Sequence, residues 1–144
     1  MSTKINKSPE EIERFINDTL KLELANLEKA LMKINEDMLE YMQLEQSLEF
    51  IKKHKPDGFK TQVDLDTNTF MEAQVDKIEP IIVNIGLNVF LELGLEEALK
   101  FLELRIKILN KQADVVREQS LKIKTEIKIL LMYLGDIKGF NTNV

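Results

Sequence analysis

The chain is 144 residues long, with 25 acidic and 20 basic side chains, a formal net charge of −5 and no cysteine. That length suits one domain. Lysines and glutamates are interspersed, so the clustered basic surface that phosphate binding needs is missing. Without thiols, a disulfide framework, a thiolate metal site and a Cys nucleophile are all excluded.

Prolines and glycines divide the chain. Pro9, Pro56 and Pro80, with Gly58, Gly86, Gly94, Gly135 and Gly139, leave two arms free of helix breakers, residues 10 to 55 and 95 to 134. Ser8, Pro9 and Glu11 form a helix start with a capping box. From there Leu20, Leu24, Leu27, Leu31, Ile34, Met38, Tyr41, Glu45 and Leu48 follow the four-three rhythm of a heptad seam that only Glu45 interrupts. Pro56-Asp57-Gly58 ends the arm near Lys55. An unbroken helix of about 45 residues would be roughly 65 Å long, far more than an ordinary globular domain uses.

Between the arms apolar residues alternate with polar ones. Thr61, Val63 and Leu65, the turn Asp66-Thr67-Asn68, and Met71, Ala73 and Val75 read as one hairpin. Ile81, Val83, Ile85, Leu87, Val89, Leu91 and Leu93 alternate over more than one strand's usual length, so a turn is placed around Gly86-Leu87-Asn88 and a second hairpin results. The second arm carries the stronger seam. Leu95, Leu102, Leu109, Val116, Ile123, Leu130 and Ile137 recur every seventh residue, interleaved with Leu99, Ile106, Ala113, Ser120, Ile127 and Leu134.

Two such arms fold back into an antiparallel two-helix coiled-coil hairpin with two small β-hairpins inserted between the helices. The expected elements are a helix over about 9–55, β-hairpins over about 59–93 and a helix over about 95–138, in a single domain spanning 1–144. Leu48 and Ile51 should then meet Leu95 and Leu99. At the other end Ile12, Phe15 and Ile16 should meet Leu134, Ile137 and Phe140. Glu45 and Ser120 either specify register as buried polar residues or mark places where the seam loosens.

Two short hairpins at one end of a slender helix pair have little in their own chain to cover an apolar face, and exposed strand edges invite pairing with other chains. Val63, Leu65, Phe70, Val75, Ile81, Val83, Ile85, Val89, Leu91 and Leu93 are therefore the candidate subunit-assembly residues; the alternative is a β cap that buries its face against the helix ends. The apolar residues at the far end, Ile12, Phe15, Ile16, Leu134, Ile137 and Phe140, either offer a contact surface for a partner or client or simply zip the two ends together.

Chemistry is not legible in these residues. His54 is the sole histidine, in Lys53-His54-Lys55 before a turn, and has no second imidazole for a metal pair. Glu96 and Glu97 are neighbours at a helix start, where carboxylates favour the helix dipole and point about 100° apart. Gly86 and Gly94 are too widely spaced for a phosphate loop. No catalytic residue, metal ligand or cofactor is expected. Glu10 with Arg14, Glu49 with Lys53 and Glu103 with Lys107 are solvent-facing pairs four apart. The N-terminal residues lack the apolar run of a secretory signal. Ile78 to Leu95, the most apolar stretch, is broken by Glu79, Asn84, Asn88 and Glu92, and no membrane span is expected.

The segments Gln62-Val63-Asp64-Leu65, Val83-Asn84-Ile85-Gly86 and Phe90-Leu91-Glu92-Leu93 with Glu97-Ala98-Leu99-Lys100-Phe101 resemble those of α-class prefoldin subunits, and more closely the ubiquitously expressed transcript (UXT) family among them. The likeness covers roughly residues 60 to 139, and the first helix only through its length and periodicity. It implies a non-enzymatic subunit of a hetero-oligomeric co-chaperone or complex-assembly factor, joined through the hairpins to other prefoldin-type subunits and holding client proteins between coiled-coil ends. It further implies work alongside the unconventional prefoldin interactor and RuvB-like ATPases, in cytoplasm and nucleus. The alternative it carries is a transcription cofactor that contacts transcription regulators in the nucleus.

Overall fold

The computed structural model describes residues 8–141, without the side chains of residues 138, 140 and 141. The first helix is α-helical over Pro9–Arg14 (α1), π-helical over Phe15–Leu20 and α-helical again over Lys21–His54 (α2). Four strands follow, β1 at Phe59–Asp66, β2 at Thr69–Val75, β3 at Ile81–Gly86 and β4 at Val89–Leu93, and the helix α3 at Leu95–Asn141 is the last of the described elements. The described residues form two compact units, one of residues 8–36 with 110–141, the other of residues 37–109.

In the first unit the helix start is capped as its residues dictate. Ser8 Oγ accepts the Glu11 N–H at 3.3 Å, the Glu11 carboxylate accepts the Ser8 N–H at 3.1 Å, and Pro9 occupies the position whose N–H would have no partner. The π-helical stretch is absent from the heptad reading, yet its cause is visible in the spacing. Ile12, Ile16 and Leu20 are four apart, and on an α-helix each such step drifts by about 40°. The wider i→i+5 turn, closed where the Lys21 N–H meets the Ile16 carbonyl, offsets that drift. All three side chains are then buried together with Ile123 and Leu134 of α3, flanked by Phe15, Leu24, Leu27, Ile127 and Leu130. Glu28 on α2 pairs with Lys124 on α3 at 3.0 Å, outside this core. Ser120 is buried in the seam without cost to its hydroxyl, which donates to the Val116 carbonyl at 2.9 Å.

In the second unit α2 and α3 run antiparallel, as Lys52 against Glu96 and Arg105 over Tyr41 at 5.8 Å show. Leu48, Leu95, Ala98 and Leu102 form its core, with Tyr41, Leu99 and Phe101 packed around it. Glu45, the polar member of the α2 seam, is half-buried. Every other seam position of both helices is also buried or half-buried.

The strands form two separate antiparallel pairs, β1 with β2 and β3 with β4. Gly58 precedes the first with φ +104°, and a Cβ there would collide with the Val75 carbonyl oxygen, so only glycine fits. The turn between β1 and β2 has Asn68 at φ +62°, and Asp66 Oδ1 accepts the Thr67 N–H at 2.7 Å. The second turn holds Leu87 at φ +51° and Asn88 at φ +58°, the type I′ signature. Asparagine suits that conformation; leucine does not, at a cost of about 1 kcal/mol.

Candidate functional site

Strand pairing decides which side chains share a face. In the first hairpin Phe59 pairs with Val75, Thr61 with Ala73 and Val63 with Met71, so these residues line one face, while Phe70 pairs with Asp64 on the other. Phe70 is thus separated from Val63 and Val75, with which the sequence reading had grouped it. Met71 takes its place. The alternation Met71, Ala73, Val75 carried that signal already. Val63, Leu65, Phe70 and Met71 are all exposed and Val75 is half-buried.

The second hairpin divides differently. Ile81 pairs with Leu93 and Val83 with Leu91, giving an inner face whose root is occupied by its own chain: Ile81, Val83 and Leu93 pack on the core of Leu48, Leu95, Ala98 and Leu102. Those three are a correction to the expectation of an uncovered face, because the helix ends do cover the half of the hairpin nearest them. Ile85, Val89 and Leu91, farther along the same hairpin, stay exposed at 43%, 50% and 46%. The opposite face is not polar either. Ile82 is 66% and Phe90 62% exposed there, beside Asn84 and Glu92. Neither is among the expected assembly residues, since a strict alternation hides apolar residues on the face assumed to be wet.

Beneath the second hairpin lies an apolar cavity of about 220 Å³. Tyr41, Leu44 and Leu48 of α2, Ile81, Ile82, Val83 and Asn84 of β3, and Ala98, Phe101 and Leu102 of α3 line it.

The hairpins are fixed to the helices by carboxylates. Glu79, in the linker between the hairpins, accepts the Leu95 N–H at 2.7 Å, and Glu97 accepts the Gly94 N–H at 3.0 Å, so two orphan donors at the start of α3 are satisfied. Glu96 turns to Lys52 on α2. The hydrogen bond from Lys52, and then its charge, lower the Glu96 carboxyl from its ordinary pKa, against a smaller opposing effect of burial. Glu103 is lowered likewise by its hydrogen bond and charge pair with Lys107, at 2.7 Å. His54 stacks on Phe50 with ring centroids 4.6 Å apart and lies 3.2 Å by Nδ1 from the Phe50 carbonyl, an exposed residue in the last turn of α2.

In the first unit Ile12 and Ile16, each 2% exposed, are buried with Leu134, at 4%. These three zip the helix segments together and present no surface of their own. Phe15 and Ile137 are half-buried, and the Phe140 side chain lies outside the described residues. Among the described residues no cluster of His, Cys, Asp and Glu could hold a metal ion. No described helix is long and apolar enough to cross a membrane.

A prefoldin subunit family model matches residues 20–135. The chain is 33% identical over 127 residues to human Protein UXT, an alignment covering 88% of this chain and 81% of that protein. It is 31% identical over 126 residues to a Protein UXT homolog of Dictyostelium discoideum, covering 88% and 78%. Among solved structures, a chain of filamentous PFD from Methanocaldococcus jannaschii, determined by cryo-EM, superposes with a TM-score of 0.66 at 23% identity, over 80% of this chain and 94% of that one.

Proposed function

The chain belongs to the prefoldin family, among the UXT proteins, and from that premise we propose that it is a non-enzymatic assembly subunit whose hairpins join those of other prefoldin-type subunits. One observation carries the reading. Val63, Leu65, Met71, Ile85, Val89 and Leu91 are exposed on strands whose pairs are only two strands wide, and free strand edges with apolar faces are stabilised by a neighbouring chain.

In that assembly the helix segments of the first unit take the client. Phe15, packed on the core that holds Ile12, Ile16 and Leu134, and the half-buried Ile137 supply the apolar side chains there. The unconventional prefoldin interactor and RuvB-like ATPases are the further partners this reading names, in cytoplasm and nucleus.

Co-expression with a β-class prefoldin-type subunit tests the assembly role. The complex is expected to be soluble and of defined size, whereas the chain alone self-associates; a well-folded monomer at micromolar concentration that captures no prefoldin-type subunit would overturn the reading. Affinity purification from cells with mass spectrometry separates it from cofactor work, since recovery of transcription regulators without prefoldin-type subunits favours the latter. Changing Phe15 and Ile137 to Ser should leave assembly intact and weaken client capture. Unchanged capture removes these segments from the mechanism.

A further inference from the structure

The seam of the first helix holds one residue more than its own repeat allows. From Leu20 to Leu48 it steps four, three, four, three, so the seam places before Leu20 fall at Asn17 and Glu13. The structure instead buries Ile16 and Ile12, one residue out of that register, and the π-helical stretch Phe15–Leu20 takes up the difference. Packing does not require the surplus. Without Asp18, the residues Ile12, Ile16, Leu20, Leu24 and Leu27 would step four, three, four, three on a plain α-helix and bury the same side chains with Ile123 and Leu134. Single π-helical turns are rare, and they recur at functional sites.

The residues that hold the surplus suit a change of state. Asn17, Asp18 and Thr19 are all exposed, and all three are weaker helix formers than Ala, Leu or Lys. They lie between two buried apolar residues and are themselves anchored to nothing in the core. The Lys21 ammonium donates to Asn17 Oδ1 at 2.7 Å across the wide turn, an exposed bond that water can replace.

If this stretch closes to α-helix while Leu24 and Leu27 stay in place, everything before it turns by about 100°, the angle of one residue. Asn17 and Glu13 then take the seam. Ile12, Phe15 and Ile16, spaced three and four apart, leave it as one apolar face. That state is unfavourable until an apolar ligand covers the face, so the ligand's preference for it supplies the shift. We propose that Phe15–Leu20 is a register hinge, whose closure to α-helix releases Ile12 and Ile16 from the seam onto an apolar segment of an unfolded polypeptide. The inference rests on the reading of these helix segments as the client site and adds how that site is uncovered. Until a client arrives, the isoleucines stay buried.

Deletion of Asp18 from the full chain, co-expressed with a β-class prefoldin-type subunit, tests the hinge, with reduced and carboxymethylated α-lactalbumin as the unfolded probe. The deletion should leave assembly intact and melting unchanged or raised, yet weaken capture of the probe by about tenfold or more, because the isoleucines no longer reach it. Hydrogen exchange gives a readout independent of capture. Amides of residues 15–21 should exchange faster than those of residues 24–34 in the wild-type chain, and the deletion should abolish the difference. A lower melting temperature on deletion would show that packing needs the residue and overturns the hinge; unchanged capture or unchanged exchange overturns it too. Full capture by the deletion variant, with capture lost on changing Phe15 and Ile137 to Ser, overturns the hinge and keeps the client reading. A wild-type complex that does not capture the probe overturns both.

Discussion

The Glu79 carboxylate accepts the backbone N–H of Leu95 at 2.7 Å, so the linker between the two hairpins caps the helix that follows them. Together with Glu97 on the Gly94 N–H at 3.0 Å, it places two negative charges where the dipole of α3 favours them. Glu79→Ala is expected to lower stability by roughly 0.5–2 kcal/mol, the range for losing a helix cap. Thermal unfolding reads the loss, and a Glu97→Ala double-mutant cycle reads how far the two caps depend on each other. No change on Glu79→Ala would mean that water replaces the carboxylate at no cost.

Leu109 and Leu104 lie on the same helix with opposite surroundings, 5% and 60% exposed. Leu109→Ala should cost about 2–5 kcal/mol, because it removes buried methyl groups and leaves a gap. Leu104→Ala should stay within about 0.5 kcal/mol. Glu45→Leu, which fills a half-buried seam position with an apolar side chain, should be neutral or stabilising. Chemical denaturation of the three variants orders them, and a costly Glu45→Leu would mean that the carboxylate makes a stabilising contact of its own.

Val83 and Phe90 separate folding from assembly. Val83 packs on the core of Leu48, Leu95, Ala98 and Leu102, whereas Phe90 is 62% exposed on the opposite face. Val83→Lys is therefore expected to lower the melting temperature of the chain itself. Phe90→Ser should leave melting nearly unchanged while reducing entry into a prefoldin-type complex. Equal loss of thermal stability in both would show that the hairpin's outer face is also packed.

The pair of Lys52 and Glu96 confers a pH dependence of known sign. Its hydrogen bond and charge lower the Glu96 carboxyl below its unfolded-state pKa. The contribution is present above the ordinary carboxylate pKa and is lost as pH falls through the lowered one. Glu96→Gln should reduce the melting temperature slightly at neutral pH, and the difference from wild type should vanish in strong acid. The effect is small because the two side chains are 47% and 66% exposed. A gap that persists at low pH would assign the effect to packing instead.

The sequence by itself determined where the elements lie and which helical positions are buried. A helix from Pro9, strands from Phe59 to Leu93 and a helix from Leu95 are marked by prolines, glycines and changes of apolar period, all local properties. The seam from Leu20 to Leu48 and its counterpart from Leu95 to Ile137 are equally legible, because a heptad repeat fixes one face of a helix regardless of what meets it. Tertiary structure alone decided the rest. Strand alternation places Val83 and Ile82 on opposite faces but does not say how far along the hairpin the helix ends reach, and that reach covers Ile81, Val83 and Leu93 while leaving Ile85, Val89 and Leu91 open. Pairing register, not composition, put Phe70 across from Asp64 and away from Val63. The π-helical turn at Phe15–Leu20 needed the packing of Ile12, Ile16 and Leu20 against Ile123 and Leu134, and the capping of Leu95 by Glu79 needed a linker folded back on a residue sixteen positions later. Each of these depends on contacts between segments distant in sequence, which no local pattern encodes.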